Sequence, residues 1–312
     1  MKLISFVIPV FNESESILKL YQEIVAVCQN LENDYEIWFI NDGSTDQTEE
    51  ILKDIETKDS RVKLIRFRKN FGKSVALSVG FERAKGDIIF TMDADLQDDP
   101  KEIPAFLEVI DQGADLVCGW KKKRKDPLEK RVASAFFNSI VSMMTGLKLH
   151  DFNCGFKAYR KKVVKTIHMY GEFHRFIPAL VQSYGFKIKE ISIHHRKRQF
   201  GKSKYGASRY LAGFFDFLSV IFVTGYLRKP MHFLGRISLT SFLIGSGLLT
   251  YVFCMKFLFG QTGNRPSLAI SIFFLGFAVQ VILFGIIADL ILYTNHKSTF
   301  KASDFVDEIQ DS

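Results

Sequence analysis

The chain has 312 residues, of which 47% are hydrophobic and 24% are charged, and its formal net charge is +8. This length corresponds to one large domain or two modest ones. The apolar and aromatic content excludes a disordered chain, and four cysteines in a chain this long exclude a disulfide scaffold. The mean hydropathy of +0.06 is high for a chain that is a quarter charged, so the apolar residues must be concentrated in one region, which begins after about Tyr210.

The N-terminal part of the chain alternates between short apolar runs and amphipathic segments. The apolar runs, each followed by turn residues, predict β-strands at 3–10, 35–40, 62–67, 87–92 and 115–119. Segments with a period near 3.6 predict helices at 15–31, 45–57, 72–84 and 100–112, with N-caps at Ser14, Ser44 and Asp99. This alternation predicts a mostly parallel, doubly wound α/β sheet.

Acidic and polar residues follow three of the predicted strands. Asn12 and Glu13 follow the first strand, Asp42 follows the second, and the acidic run 93–99 follows the fourth. Because ligands of open α/β sheets lie beyond the carboxyl ends of the strands, we expect these three loops to meet at one edge.

The acidic run contains a pair of carboxylates, Asp93 and Asp95, that can face a common point. Such hard oxygen ligands suit Mg²⁺ or Mn²⁺. Two carboxylates leave the coordination shell of such a cation incomplete, so the pair also implies a ligand that bears phosphate. The alternative is structural: Asp98 and Asp99 cap the next helix and the other carboxylates are solvated.

Asp42 is placed to accept a hydrogen bond from a base or a ribose, although it could equally cap a helix that starts near Thr45. The chain contains neither a G-x-G-x-x-G fingerprint nor a P-loop. A metal that bridges the phosphates is therefore the favoured way to hold a nucleotide.

Six motifs in this order resemble those of the inverting glycosyltransferases of the large second family, which have the Rossmann-like GT-A fold. Within that family the chain looks like the polyisoprenyl-phosphate sugar transferases, such as dolichyl-phosphate mannose synthase and the bactoprenol glucosyltransferases. The motifs lie at 7–13, 41–46, 68–73, 93–100, 151–156 and 200–205. The Q-x-x-R-W signature of processive polysaccharide synthases is absent from the sequence, which disfavours polymer synthesis.

The resemblance implies a role for individual residues. Those that would hold the nucleotide sugar are Pro9, Asn12, Glu13, Asp42, Lys73 and Asp93. Those that would surround the metal are Asp93, Asp95 and Gln97. Those that would approach the acceptor phosphate are Arg131, Ser134, Arg198 and Lys204. Asp151 is the candidate general base, or it positions the sugar, and it joins Asp93 and Asp95 as a predicted catalytic residue.

Two strongly basic runs, 121–131 and 196–209, favour an anionic partner over a merely solvated face. The second run immediately precedes the apolar part of the chain, so a membrane surface and a lipid phosphate are favoured over nucleic acid. The apolar run at 210–227 carries Asp216 at its middle, which favours an interfacial helix over a third span.

Two uncharged runs, 237–255 and 267–288, are each long enough to cross a bilayer, and the buried hairpin of a soluble protein is the disfavoured alternative. We therefore expect an α/β domain at 1–208, an interfacial region at 209–230, two transmembrane helices within 231–296 (about 237–257 and 267–290) and a tail at 297–312. The cations that flank the spans predict an integral membrane protein, of the plasma membrane if bacterial, with the catalytic domain and both termini in the cytoplasm.

The sequence-based hypothesis is transfer of a sugar, glucose from UDP-glucose, to polyprenyl (undecaprenyl) phosphate with inversion. A phosphate monoester is already anionic at neutral pH, so such an acceptor requires no general base. The alternatives are a GDP-mannose donor, a lipid hydroxyl as acceptor, and a non-catalytic nucleotide-sugar-binding scaffold. The sequence leaves the oligomeric state open, and a homo-oligomer is compatible with it.

Overall fold

A computed structural model describes residues 2–31, 33–122, 138, 141–142, 146–167, 173–196, 230–260 and 265–299. The chain divides into two compact units, Met1–Val220 and Ile221–Ser312. Each is described by itself below.

The first unit is built on a mixed sheet that has seven strands within the described residues. The strands are β1 (Leu3–Val10), β2 (Asp34–Asn41), β3 (Val62–Arg66), β4 (Ile88–Thr91), β5 (Leu116–Trp120), β6 (Lys157–Arg160) and β7 (Ile188–Ser192). Their order is β3-β2-β1-β4-β6-β5-β7, and every pairing is parallel except those of β6, which runs antiparallel to β4 and β5. The predicted mostly parallel α/β sheet is confirmed. The strands β6 and β7 lie beyond the five that the sequence predicted.

Helices connect and cover these strands. Those of the first unit are α1 (Ile17–Cys28), α2 (Thr48–Lys58), α3 (Lys73–Arg83), α4 (Ile103–Asp111), α5 (Lys161–Thr166) and α6 (Ile177–Ser183), and two 3₁₀ turns lie at Pro100–Glu102 and Phe173–Phe176. In α1 the buried residues Ile17, Leu20 and Ile24 recur at helical spacing, which turns one face to the sheet.

Aromatic rings fill the core between the sheet and α4. Phe6 of β1 stacks on Phe90 of β4 with ring centroids 5.4 Å apart, and Phe106 of α4 lies 4.4 Å from Phe156. All four side chains are fully buried. Because such rings each remove a large apolar area from water, they hold β1 and β4 side by side and so bring the loops that follow these strands together.

Two helices start later than predicted. α1 begins at Ile17, with Ser16 rather than Ser14 at the N-cap position, and α2 begins at Thr48. The predicted caps are used elsewhere: the main-chain N–H of Ser14 donates to Asp46, and the hydroxyl of Ser44 accepts from Asn12. Asp99 does cap the next turn, because its carboxylate accepts from the main-chain N–H of Lys101 at 3.0 Å.

The second unit contains α7 (Pro230–Phe259) and α8 (Arg265–Thr299). Both are long and apolar enough to cross a membrane, and only 17% and 22% of their most apolar segments are buried. A core helix of a soluble protein would be mostly buried, so the soluble-hairpin alternative does not fit these helices.

The two long helices pack against each other in antiparallel fashion. Ser238 of α7 donates to the carbonyl of Ala278 of α8 at 2.8 Å, and a Cβ at Gly245 would lie 2.9 Å from the Leu275 side chain. Gly245 therefore permits the close approach that small residues provide between apolar helices.

Candidate active site

The loops that follow β1 and β2 are hydrogen-bonded to each other. The main-chain N–H of Asn12 donates to Ser44 Oγ at 2.9 Å, and Asn12 Oδ1 accepts from the N–H of Thr45 at 2.7 Å. Next to them, the N–H of Glu13 donates to Thr48 Oγ1 at 2.9 Å. Asn12 adopts a left-handed φ of 53°, a conformation that costs a non-glycine residue energy and is typical of functional loops.

Pro9, Asn12 and Glu13 are half-buried at the carboxyl end of β1. The structure thus brings them to the expected edge of the sheet, beside the loop that follows β2. Their contact with a nucleoside stays a prediction.

Both carboxylate oxygens of Asp42 accept from main-chain amides, Oδ1 from Phe71 at 2.7 Å and Oδ2 from Gly72 at 3.0 Å. Asp42 therefore anchors the start of α3 rather than a helix near Thr45. Burial raises the pKa of Asp42, and the two amide bonds act against that rise. Gly43 has a φ of 72°, and a Cβ there would lie 2.5 Å from the Lys69 carbonyl carbon, so the 67–72 loop lies directly on this turn.

Asp93 lies between a lysine and a glycine. Its Oδ1 forms an ion pair with the Lys73 ammonium, and a Cβ at Gly155 would lie 2.5 Å from its Oδ2. Burial alone raises the pKa of the Asp93 carboxyl, but Lys73, Lys121 and Lys157 outweigh that effect and hold the pKa well below its usual range. The carboxylate is therefore ionised at neutral pH and faces several positive charges.

The rest of the acidic loop is held in a tight turn. Asp95 is nearly buried, and its Oδ1 accepts from the main-chain N–H of Gln97 at 3.1 Å. Between them, Leu96 is fully buried with a left-handed φ of 60°. A buried leucine in this conformation is strained, and the surrounding core must hold it there.

The acidic loop is also tied to the segment that follows β7. Asp98 and His195 form an isolated antiparallel bridge, and the main-chain N–H of Arg196 donates to the Gln97 carbonyl at 2.9 Å. The guanidinium of Arg196 reaches Asp99 at 2.5 Å. Arg196, the first residue of the second basic run, thus lies against the acidic loop that is predicted to bind the metal.

The residues present fit a divalent cation for which the protein supplies only some of the ligands. Asp93 and Asp95 supply hard carboxylate oxygens, and the described part of the chain contains no cluster of three or more His, Cys, Asp or Glu side chains suited to a metal. Such a cation would complete its shell with water and phosphate oxygens, as Mg²⁺ usually does.

Asp151 is buried, and its Oδ1 accepts from the main-chain N–H of Asn153 at 3.2 Å. A residue that the sequence did not single out, Glu190 of β7, accepts from the main-chain N–H groups of both His150 and Asp151 at 3.0 Å. Glu190 also lies 2.7 Å from the Nδ1 atom of His150, whose ring stacks on Trp120 at 4.0 Å. These contacts fix the backbone beside Asp151, and whether that carboxylate acts as a base or positions a sugar stays a prediction.

His174 is a second residue that sequence reasoning missed. Its main-chain N–H donates to Ser74 Oγ at 3.1 Å, and its Nδ1 lies 2.9 Å from the same hydroxyl. Burial, together with the neighbouring charges of Lys73 and Arg175, lowers the pKa of His174 to about 2, so the ring is neutral at physiological pH. No local pattern in the sequence marks it, because Ser74 and His174 are a hundred residues apart.

The predicted acceptor-phosphate residues, Arg131, Ser134, Arg198 and Lys204, lie outside the described residues, as do the proposed interfacial helix at 210–227 and the tail from 300 onward.

Carboxylates at the carboxyl ends of the strands of a mostly parallel sheet are typical of the ligand site of an open α/β protein. Comparison with known proteins identifies the family. Residues 5–167 match the family model described as Glycosyl transferase family 2. The chain belongs to this family, and the resemblance found from its motifs is confirmed.

Two relatives align over nearly the whole chain. The dodecaprenyl-phosphate galacturonate synthase of Rhizobium johnstonii is 35% identical over 99% of this chain and 93% of its own length. The undecaprenyl-phosphate 4-deoxy-4-formamido-L-arabinose transferase of Edwardsiella ictaluri is 33% identical over 91% of this chain and 85% of its own length. Both names describe transferases of the polyprenyl-phosphate type.

Among solved structures, glucosyl-3-phosphoglycerate synthase from Mycobacterium tuberculosis, in complex with Mn²⁺, UDP and phosphoglyceric acid, superposes with a TM-score of 0.56. The match covers 72% of this chain and 78% of that chain at 16% identity. At this identity the likeness establishes the fold alone, and it confirms the predicted GT-A architecture.

Proposed function

We propose that this protein transfers a sugar from a nucleotide diphosphate to a membrane-held polyprenyl phosphate, with inversion at the anomeric carbon. One observation carries the proposal: Asp93 and the nearly buried Asp95 lie in one loop at the carboxyl end of β4, in a chain that also has two largely exposed apolar helices. A water-soluble donor and a lipid acceptor require these two features. The names of the two relatives support the same acceptor class.

In this proposal the protein's own residues bind and orient both substrates. A divalent cation held by Asp93, Asp95 and Gln97 would supply charge stabilisation for the departing diphosphate. Pro9, Asn12, Glu13 and Asp42 would line the nucleoside side of the site. The acceptor phosphate is ionised at neutral pH, so its oxygen can attack the anomeric carbon directly while the bond to the diphosphate breaks. Asp151 would then position the sugar rather than remove a proton.

The sugar is the finer part of the proposal. The motifs favour glucose on UDP, whereas the names of the relatives point to galacturonate and to 4-deoxy-4-formamido-L-arabinose. We propose a hexose or pentose on UDP as the donor class, with GDP-mannose as the alternative.

The test is transfer by the full-length protein in detergent. The purified protein is incubated with undecaprenyl phosphate and radiolabelled UDP-glucose, UDP-galacturonate, UDP-4-deoxy-4-formamido-L-arabinose or GDP-mannose, with Mg²⁺, Mn²⁺ or EDTA. We expect label in the lipid fraction from one donor, lost with EDTA and reduced at least about 100-fold in Asp95→Ala. The matched control is Asp54→Ala, which removes an exposed carboxylate of α2.

A parallel assay with diacylglycerol as the acceptor distinguishes a lipid phosphate from a lipid hydroxyl as the group that receives the sugar. Label in diacylglycerol alone would replace the acceptor and would make a general base necessary. Absence of label with every donor and acceptor, in protein shown to be folded, would favour the non-catalytic nucleotide-sugar binder.

We also propose that both termini face the cytoplasm. The support is the bias of Lys and Arg to the two outer ends of the apolar runs, with Arg228, Lys229 and Arg236 before the first run and Lys297 and Lys301 after the second. Labelling of a single cysteine placed after residue 300 with a membrane-impermeant reagent tests this. Labelling in intact cells would contradict it, and labelling only after lysis is expected.

A further inference from the structure

Lys73 occupies an unusual position for a lysine. It is the first residue of α3, and its ammonium is bound to Asp93 Oδ1, an oxygen of the carboxylate that would hold the divalent cation. The main chain before it is anchored, because Asp42 accepts from the amides of Phe71 and Gly72. Its side chain is about one-third exposed. The backbone of Lys73 is therefore held while the end of the side chain can reorient.

The Asp93 carboxylate has limited room to move away from Lys73. On its other side lies Gly155, whose carbonyl accepts from Thr91 Oγ1 at 2.8 Å, so this segment is held to β4. A divalent ion and an ammonium bound to the same carboxylate would lie close together, so their positive charges would repel each other strongly. Binding of the cation to Asp93 therefore requires that Lys73 leave.

Three neighbouring carboxylates are already engaged. Both oxygens of Asp42 accept from main-chain amides, Asp98 faces Lys121 at 3.3 Å, and Asp99 is paired with Arg196. A nucleotide diphosphate, which brings several negative charges to the same edge of the sheet, can accept the displaced ammonium.

From these contacts we infer that Lys73 is a charge gate that couples the donor to the cation. Lys73 blocks Asp93 until a diphosphate arrives, and it then moves to the diphosphate while the divalent ion takes its place. Cation and donor thereby bind cooperatively, and each raises the affinity of the other by the same factor. The inference deepens the proposed function and rests on it for the identity of the diphosphate ligand.

The test measures binding rather than turnover. Mn²⁺ is titrated into the full-length protein in detergent, and the electron paramagnetic resonance signal of free Mn²⁺ reports binding with and without saturating UDP. In the wild-type protein we expect UDP to tighten Mn²⁺ binding at least about 10-fold. In Lys73→Met, Mn²⁺ alone should bind about 10-fold more tightly than to the wild type, and UDP should tighten Mn²⁺ binding by a smaller factor than in the wild type, because only direct contact between the diphosphate and the cation then couples the two.

Three variants control this experiment. Lys73→Arg keeps the charge and should behave as the wild type, whereas Lys73→Gln should reproduce Lys73→Met and serves if the methionine variant does not fold. Lys58→Met removes a lysine with an equivalent carboxylate partner, Asp54 at 2.7 Å, on the exposed end of α2, and should leave Mn²⁺ binding unchanged.

Two results would overturn the inference. The first is that, without UDP, both Lys73→Met and Lys73→Gln bind Mn²⁺ with an affinity within 2-fold of the wild type. The second is that UDP tightens Mn²⁺ binding by the same factor in these variants as in the wild type. A different result separates this inference from the proposed function: if UDP has no effect on the wild type but Lys73→Met still tightens Mn²⁺, the gate stands and the uridine donor is wrong.

Discussion

In the α/β unit the large apolar side chains are buried, whereas in the two helices of the C-terminal unit most of them are exposed. Phe90 and Phe106 are fully buried, but Phe257 is 84% exposed and Leu243 is 61% exposed. In the helical unit the buried side chains include hydroxyls, among them Ser238, Ser241 and Ser271.

This contrast follows from the solvent of each unit. In water, burial of apolar area stabilises a fold by about 25 cal/mol per Å². Between helices in lipid that driving force is absent, so small residues and hydrogen-bonding hydroxyls occupy the interface instead. Phenylalanine and leucine side chains therefore form the core of the α/β unit but the lipid-facing surface of the helical unit.

A matched pair of arginine substitutions tests this contrast, and we expect a larger effect from it than from the variants below. Leu243→Arg puts a charge near the middle of α7 and should cost about 2.5–3.5 kcal/mol of membrane insertion. Leu18→Arg, at a 46% exposed position of α1, should change stability by no more than about 0.5 kcal/mol. The measurement is the fraction of protein integrated into membranes. Equal behaviour of the two variants would show that α7 does not face lipid.

Gly155→Ala tests whether the acidic site depends on close packing. The added Cβ would lie 2.5 Å from Asp93 Oδ2 and would push the carboxylate out of its position beside Lys73, while the backbone of both segments stays in place. The misplaced carboxylate should lower turnover about 100-fold, with a melting temperature close to that of the wild type. Gly247→Ala, at an open position of α7, is the control for an added methyl group. Full activity of Gly155→Ala would mean that the position of Asp93 is not critical.

Glu190→Ala tests the contact that fixes the segment beside Asp151. The variant leaves the main-chain amides of His150 and Asp151 without this acceptor, which should cost about 1–3 kcal/mol of stability. Turnover should fall about 10-fold, with a smaller change in donor KM, because the segment is displaced rather than a binding contact removed. Glu190→Gln keeps an acceptor oxygen and should recover most of both losses. If Glu190→Gln and Glu190→Ala were equally impaired, the negative charge rather than the amide bonds would be what matters.

The smallest expected effect concerns stability alone, away from the site. Arg61 donates to Asp59 through Nε at 2.9 Å and Nη2 at 2.8 Å, and together with the Tyr21 hydroxyl it lowers the pKa of Asp59 from 3.8 to about 2 against the opposing effect of burial. Asp59 thus contributes stability above pH 4 that is lost as the pH falls toward 2.

Asp59→Asn should therefore lower the free energy of unfolding by about 1–2 kcal/mol at pH 7, with unchanged turnover. Melting curves in detergent at pH 7 and at pH 3 provide the measurement, and the difference from the wild type should shrink at the lower pH. A difference that grows on acidification would contradict the assigned direction of the pKa shift.

Local patterns accounted for much of the α/β unit. The apolar run of β1 and the acidic residues after β4 predicted a strand and a site edge where the structure has them. β6 was not predicted, because its four residues, KAYR, include two cations and form no apolar run. It is a strand only because β4 and β5 offer antiparallel partners on both sides.

The candidate site divides in the same way. Asp93, Asp95 and Asp42 could be found because short-range spacing and motif order mark them. Glu190 and His174 could not, because each acts through a residue far along the chain, Asp151 and Ser74 respectively. The one signal for Glu190 in the sequence is that it is the single carboxylate in the strand IKEIS.

The amino-acid sequence alone was enough to predict the alternation of strands and helices, the acidic edge of the sheet, the two apolar helices and the family. These properties depend on residues close together in the chain, where periodicity and turn chemistry act directly. Three contacts became visible only in the folded chain: Lys73 pairs with Asp93, Gly155 lies against this carboxylate, and Glu190 holds the segment at Asp151. Such contacts depend on how strands are ordered in the sheet, and no local pattern specifies which distant side chains that order brings together.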